Sequence, residues 1–143
     1  MPHHRLYYHI VLAPHQREHV IIPEIERNLY AFIVETSKNL GVNVLRINSM
    51  PDHVHILLRA TPTFIVSNYV RDIKRSSSIM LKRYPKLLFK QWSKGYSADT
   101  VSFHEIDKIR NYIMMQKEHH RKMTFIEELK YLFGDEDLRD FES

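Results

Sequence analysis

His53-Val54-His55 is the first group in this chain whose residue types and spacing can do chemistry. In an extended segment side chains alternate between faces, so residues 53 and 55 point the same way. At ~3.3 Å rise per residue their Cα atoms stand roughly 6.5 Å apart. Two imidazoles so placed can converge on one cation at ~2.1 Å each, while Val54 faces a core. Ten histidines in 143 residues make a chance His-x-His common, and two solvated histidines on an open sheet face are the plainer alternative. The chain has no cysteine, so further ligands must come from His, Asp, Glu, Gln or water. The preceding SMPD at 49–52 is turn chemistry, which puts the pair at the mouth of a sheet, within reach of a ligand.

Tyr112 and Gln116 form a second group. Four residues apart, they are neighbours on a helix surface. Ile106, Ile109 and Ile113 set the apolar direction of that helix, and Tyr112 and Gln116 fall on its flank beside Glu105, Lys108 and His119. A tyrosine there anchors its ring by packing and shows its hydroxyl to a cleft. Alone, the pair reads as a boundary tyrosine and a solvated glutamine; it gains meaning only beside His53 and His55. No general base stands out.

Charge supplies the third signal. The net charge is +4, but residues 127–143 hold seven acids against Lys130 and Arg139, a net of −5, which leaves +9 on residues 1–126. Between Arg71 and Lys94 eight bases face one acid, Asp72. Such a stripe is the footprint of a polyanion partner, or else a solvated helix face. The acidic tail is expected to be surface helix and coil.

These groups must be carried by ordinary elements. At 143 residues, 43% hydrophobic and 27% charged, the chain is one domain's worth of globular sequence. Residues 5–13 are aromatic and β-branched and stop at Pro14, which predicts a strand. Pro23 opens a helix over 23–40, with apolar residues at i, i+4 and i+7 and Gly41 as its stop. Strands at 42–48 and 53–60 flank the 49–52 turn. A helix over 64–84 ends before Pro85, and a short strand lies near 96–101. Ser102 and Glu105 have capping-box spacing, opening a helix to about Lys122, with a short helix near 124–133. The order βαββαβα implies an α+β, ferredoxin-like or RRM-like antiparallel sheet covered by helices.

Five ordered blocks over roughly residues 6–126 carry a resemblance to a known family. NSMPDHVHILL at 48–58 looks like the HUH motif (His-hydrophobic-His) of the single-tyrosine transposases of short bacterial insertion sequences. YHIVL at 8–12 is similar to that family's first strand, and DIKRSSS at 72–78 to its basic second-helix segment. QWSKGY at 91–96 with TVS at 100–102 resembles its Trp-containing loop and strand, and RNYIMMQKEHH at 110–120 its nucleophile helix. Two departures concern the substrate sequence and loop shape: PHQR at 14–17 replaces a basic Lys-Tyr-Arg-like run, and Ser102-Phe103 replaces a Gly-Gly pair.

The resemblance implies cleavage of single-stranded DNA by Tyr112, a 5′-phosphotyrosine link, and strand transfer to a 3′-OH. It implies a divalent ion, Mg²⁺ or Mn²⁺, on His53, His55 and Gln116. It also implies hairpin recognition at element ends, with Lys74, Arg75, Lys82 and Arg83 on phosphates and Trp92 stacking on bases, though core packing is an even alternative for Trp92. A homodimer follows from the same source, with active sites shared or not between subunits. Residues 1–126 would be the catalytic domain, and 127–143 an acidic tail of the same domain. The competing functions are a domesticated, repeat-associated tyrosine endonuclease, a metal-dependent hydrolase without a covalent adduct, and a non-catalytic nucleic-acid-binding module. HVHILLRA offers no aromatic stacking positions, which counts against the last. No window approaches ~18 apolar residues and the N-terminus is no secretory signal, so the expected location is the cytoplasm.

Overall fold

The structure is a computed structural model that describes residues 3–119 and 123–133. Four strands form one antiparallel sheet: β1 (Leu6–Leu12), β2 (Asn43–Met50), β3 (His53–Ala60) and β4 (Ser97–Val101), in the order β2-β3-β1-β4. The helices are α1 (Pro23–Asn39), α2 (Val66–Leu81), α3 (Ile106–Met114), α4 (Gln116–His119) and α5 (Phe125–Phe133). The expected α+β architecture is therefore present.

The sheet is covered on both faces, and that decides the character of its central strands. Seven of the eight residues of β3 are buried. One face carries Ile10, Leu12, Val54, Ile56, Leu58 and Ala60 against Ile25, Leu29 and Ile33 of α1 and Tyr69, Val70 and Ile73 of α2. The other carries Tyr7, Leu57 and Val101 against Ile106 and Ile113 of α3, and Val11 and Ala13 against Phe125 and Leu129 of α5. His53, His55 and Leu57 share this second face, because β3 alternates. The edges are blunted: β4 is short and largely exposed, and β2 is bulged between Val44 and Arg46.

Local signals act mostly where expected. Gly41, at φ 77°, closes α1 in the left-handed region, with its N–H on the Lys38 carbonyl and the next N–H on Ser37. The hairpin turn is tighter than SMPD suggested, since β2 runs to Met50 and β3 starts at His53. Two expectations for the third helix fail. Residues Phe103–Glu105 form a 3-10 turn, and the Ser102 side chain makes no cap bond. The helix also breaks at Met115 (φ −93°, ψ 20°) instead of running to Lys122, which lies outside the described residues. At the break Asn48 Nδ2 donates to the carbonyls of Ile113 at 2.9 Å and Met114 at 3.2 Å, satisfying two acceptors of the helix end. The capping box instead forms at Thr124 and Glu127, where each backbone N–H meets the other's side-chain oxygen at 3.1 and 3.3 Å and starts α5. The expected boundary at 126/127 falls inside α5. Residues 134–143 of the acidic tail lie outside the described residues.

Candidate functional site

β3 delivers His53 and His55 to the face beneath α3–α5, and both rings are fully buried. They are thus roofed over instead of standing open at the sheet's mouth. The roof contributes a residue missed in the sequence: Glu128 of α5, also fully buried. Its Oε1 lies 3.0 Å from Nε2 of His53 and 3.0 Å from Nε2 of His55. Its Oε2 accepts from the Tyr112 hydroxyl at 2.6 Å and from Gln116 Nε2 at 2.8 Å. The Gln116 carbonyl oxygen lies 3.3 Å from His53 Nε2. One carboxylate therefore gathers His53, His55, Tyr112 and Gln116.

Tyr112 and Gln116 do not share one unbroken helix, because the break at Met115 separates α3 from α4. Gln116 opens α4 just past the break and is fully buried rather than solvated. Tyr112 is half-buried, its ring edge-on to His55 at 6.3 Å and stacked on Tyr131 at 6.2 Å between centroids.

A second layer orients the imidazoles. His53 Nδ1 lies 2.8 Å from Asp52 Oδ1, and His55 Nδ1 lies 2.8 Å from His9 Nε2. Burial alone would lower the His53 pKa, but hydrogen bonds to Asp52 and Glu128 and their negative charge prevail, and it rises. Burial, then the adjacent His55, push His9 down to about 3 against the pull of Glu128, so it stays neutral. Burial, followed by the hydrogen bond and charge of Glu128, raises the Tyr112 phenol above its ordinary range, with Gln116 pulling weakly the other way.

His53, His55 and Glu128 each offer a ligand atom, and these lie within 4.8 Å of one another. Two imidazole nitrogens and a carboxylate oxygen, with an amide oxygen alongside, form a donor set suited to a divalent cation. The chemistry of the donors fits a metal centre.

A family model described as "Transposase IS200 like" matches residues 2–116. The chain belongs to the IS200-like transposases. The ISDra2 transposase TnpA of Deinococcus radiodurans is 31% identical over 119 residues, 79% of this chain and 85% of that relative. The transposase of insertion sequence IS200 from Salmonella typhimurium is 33% identical over 117 residues, 78% of this chain and 76% of that relative. A crystal structure of a Deinococcus radiodurans protein described as a transposase superposes with TM-score 0.66 at 28% identity, covering 80% of this chain and 93% of that one. A REP-associated tyrosine transposase bound to a REP hairpin has TM-score 0.60 at 13% identity, covering 84% and 74%, and shares the fold. The match to the IS200-like model ends at Gln116, before α5 and Glu128 begin.

The other candidate residues of this transposase lie away from the centre. Arg75, Lys82 and Arg83 are exposed along and just beyond α2, on the opposite side of the sheet. Lys74 is turned to the 93–95 loop, its Nζ donating to the carbonyls of Ser93, Lys94 and Gly95 at 2.7, 3.2 and 3.2 Å. Trp92 corrects an expectation. It is 6% exposed, packs on Phe89, and its indole N–H donates to Ser77 Oγ at 3.0 Å, so its face is closed to a base. No helix among the described residues is long and apolar enough to cross a membrane.

A signal for Glu128 was present in the sequence. Thr124 and Glu127 have capping-box spacing, and Phe125, Leu129 and Leu132 follow at i, i+4 and i+7. Glu128 flanks that apolar stripe, as Tyr112 flanks its own.

Proposed function

We propose that this transposase cuts and rejoins single-stranded DNA through Tyr112, with hairpins at element ends as its substrates. The observation that carries it is the hydrogen bond from the Tyr112 hydroxyl to Glu128, the carboxylate that also bridges the two HUH imidazoles. The phenol oxygen bonds to a backbone phosphorus while the bond from phosphorus to the 3′ oxygen breaks. The phenol proton passes to Glu128 Oε2, already its hydrogen-bond acceptor, and the departing oxygen takes up a proton as a 3′-OH. The 5′-phosphotyrosine link keeps the phosphoester energy, so a second 3′-OH can reverse the attack on a new strand without ATP.

His53, His55 and Glu128 would hold a divalent cation, Mg²⁺ or Mn²⁺, with Gln116 as a further oxygen donor. When bound, the cation supplies positive charge that offsets the phosphate and makes phosphorus more open to attack. The chain's own residues do the positioning. Gln116 holds Glu128 Oε2 beside the phenol, and Tyr131 and His55 fix the plane of the Tyr112 ring. Arg75, Lys82 and Arg83 would contact phosphates of the hairpin, reaching the centre around a sheet edge. The working unit is a homodimer, measurable by light scattering. The curated relatives at 31% and 33% identity are insertion-sequence transposases, which favours a mobile element over a domesticated endonuclease.

The test is incubation with labelled single-stranded element ends and Mg²⁺ or Mn²⁺. A covalent protein–DNA species should form with the unaltered protein, vanish in chelator, and be absent from Tyr112→Phe while hairpin binding persists. Strand cleavage by Tyr112→Phe at the unaltered rate refutes the tyrosine mechanism.

A further inference from the structure

A neutral imidazole has one lone-pair nitrogen. If Nε2 ligates a cation, Nδ1 must carry the hydrogen, and a buried N–H needs an acceptor. His53 and His55 meet this requirement differently. His53 Nδ1 faces the carboxylate of Asp52 at the hairpin turn, whereas His55 Nδ1 faces the ring of His9, deep in the sheet. Val11 of β1 is paired with His55, and His9 lies two residues before it on the same face, so the two rings are diagonal neighbours. They stack at 5.0 Å between centroids and 27° between planes, with His9 only 2% exposed.

We infer that His9 is the positioning residue of the metal centre: its Nε2 accepts the Nδ1–H of His55 and so commits His55 Nε2 to the cation. This rests on the metal-centre reading given above. An apolar residue at position 9 would pack as well against the sheet but would remove the acceptor that faces His55 Nδ1. A carboxylate would accept, but would add a second buried negative charge close to Glu128, unpaired. A neutral imidazole orients the ring without changing the charge of the ligand set. Outer partners of this kind typically govern ~10–100-fold in metal affinity.

The experiment compares Mn²⁺ binding by the unaltered protein, His9→Leu, His9→Gln and His53→Ala, read from the electron-spin resonance of free Mn²⁺. Each variant's fold is checked by far-ultraviolet circular dichroism. His9→Leu should bind roughly 10–100-fold more weakly, and His9→Gln, whose amide oxygen can accept the same hydrogen, should recover most of the loss. His9→Leu binding within about twofold of the unaltered protein, or His9→Gln as weak as His9→Leu, overturns the role of His9. Weak binding by the unaltered protein, unchanged in His53→Ala, overturns the metal centre itself and is a different outcome. A measurement without substitution stands beside these: ring ¹⁵N spectra of the unaltered, Mg²⁺-loaded protein should place the His55 hydrogen on Nδ1. A hydrogen on Nε2 overturns the inference.

Discussion

Replacing Glu128 with Gln keeps the shape of the side chain and removes its charge, so it isolates what the carboxylate does. The carboxylate meets Nε2 of His53 and His55 through one oxygen and accepts from Tyr112 and Gln116 on the other. A carboxamide has one accepting oxygen and one NH₂. Turned toward the imidazoles, the NH₂ can donate to their Nε2 lone pairs while the oxygen still accepts from Tyr112 and Gln116. All four contacts then survive but lose the charge assistance of the carboxylate, worth about 1 kcal/mol each. The total is about 3–5 kcal/mol, the range seen on breaking buried ion pairs. A ceiling comes from α5. Phe125 and Leu129 hold it on the sheet, at roughly 2–3 kcal/mol each, so a larger penalty is relieved by undocking the helix. The assay is urea unfolding followed by circular dichroism at pH 7 in chelator, with amide hydrogen exchange of α5 as the local readout. Mn²⁺ should stabilise the unaltered protein more than Glu128→Gln. A loss below about 1 kcal/mol with unchanged exchange in α5 would refute the claim that this carboxylate organises the centre.

Three other outcomes are expected. Trp92→Phe should cost about 1–3 kcal/mol by leaving Ser77 without the indole donor, and should leave hairpin affinity unchanged in a mobility-shift titration. Combined Arg75→Ala, Lys82→Ala and Arg83→Ala should lower the slope of log affinity against log salt by about 2–3, with no change in thermal midpoint beyond about 2 °C. Tyr69, its hydroxyl 2.8 Å from Ser37 Oγ, has its phenol pushed from 10.0 up to about 12 by burial, the Ser37 bond opposing. Below pH 10 it is protonated whether folded or unfolded, and its contribution is intact. As pH rises from 10 through 12 the unfolded chain ionises first, so about 3 kcal/mol of stability is lost, and Tyr69→Phe should remove that loss from alkaline urea titrations.

Much of this protein was legible in the sequence because its signals are local. The period of apolar residues marks α1 and α2, Gly41 marks the end of α1, and the alternation of His53-Val54-His55 puts both imidazoles on one face whatever the rest of the chain does. The order of elements and the net basic stretch of 71–94 are likewise properties of the chain itself. What surrounds the imidazoles is not local. Asn48 on β2 meets the carbonyls at the end of the third helix, and Gln116 just beyond is buried under the packed roof of the sheet. Glu128 reads as one acid among seven in 127–143 until α5 docks through Phe125 and Leu129 and carries it between the two histidines. Trp92 looked equally fit for a base or a core, and the hydroxyl of Ser77 on α2 decided for the core. His9 gained a role from strand register, since the pairing of β1 with β3 brings its ring to His55 across 46 positions of sequence. Periodicity and turn chemistry follow from neighbouring residues, whereas a buried polar group finds its partner only when distant segments close over it and exclude water.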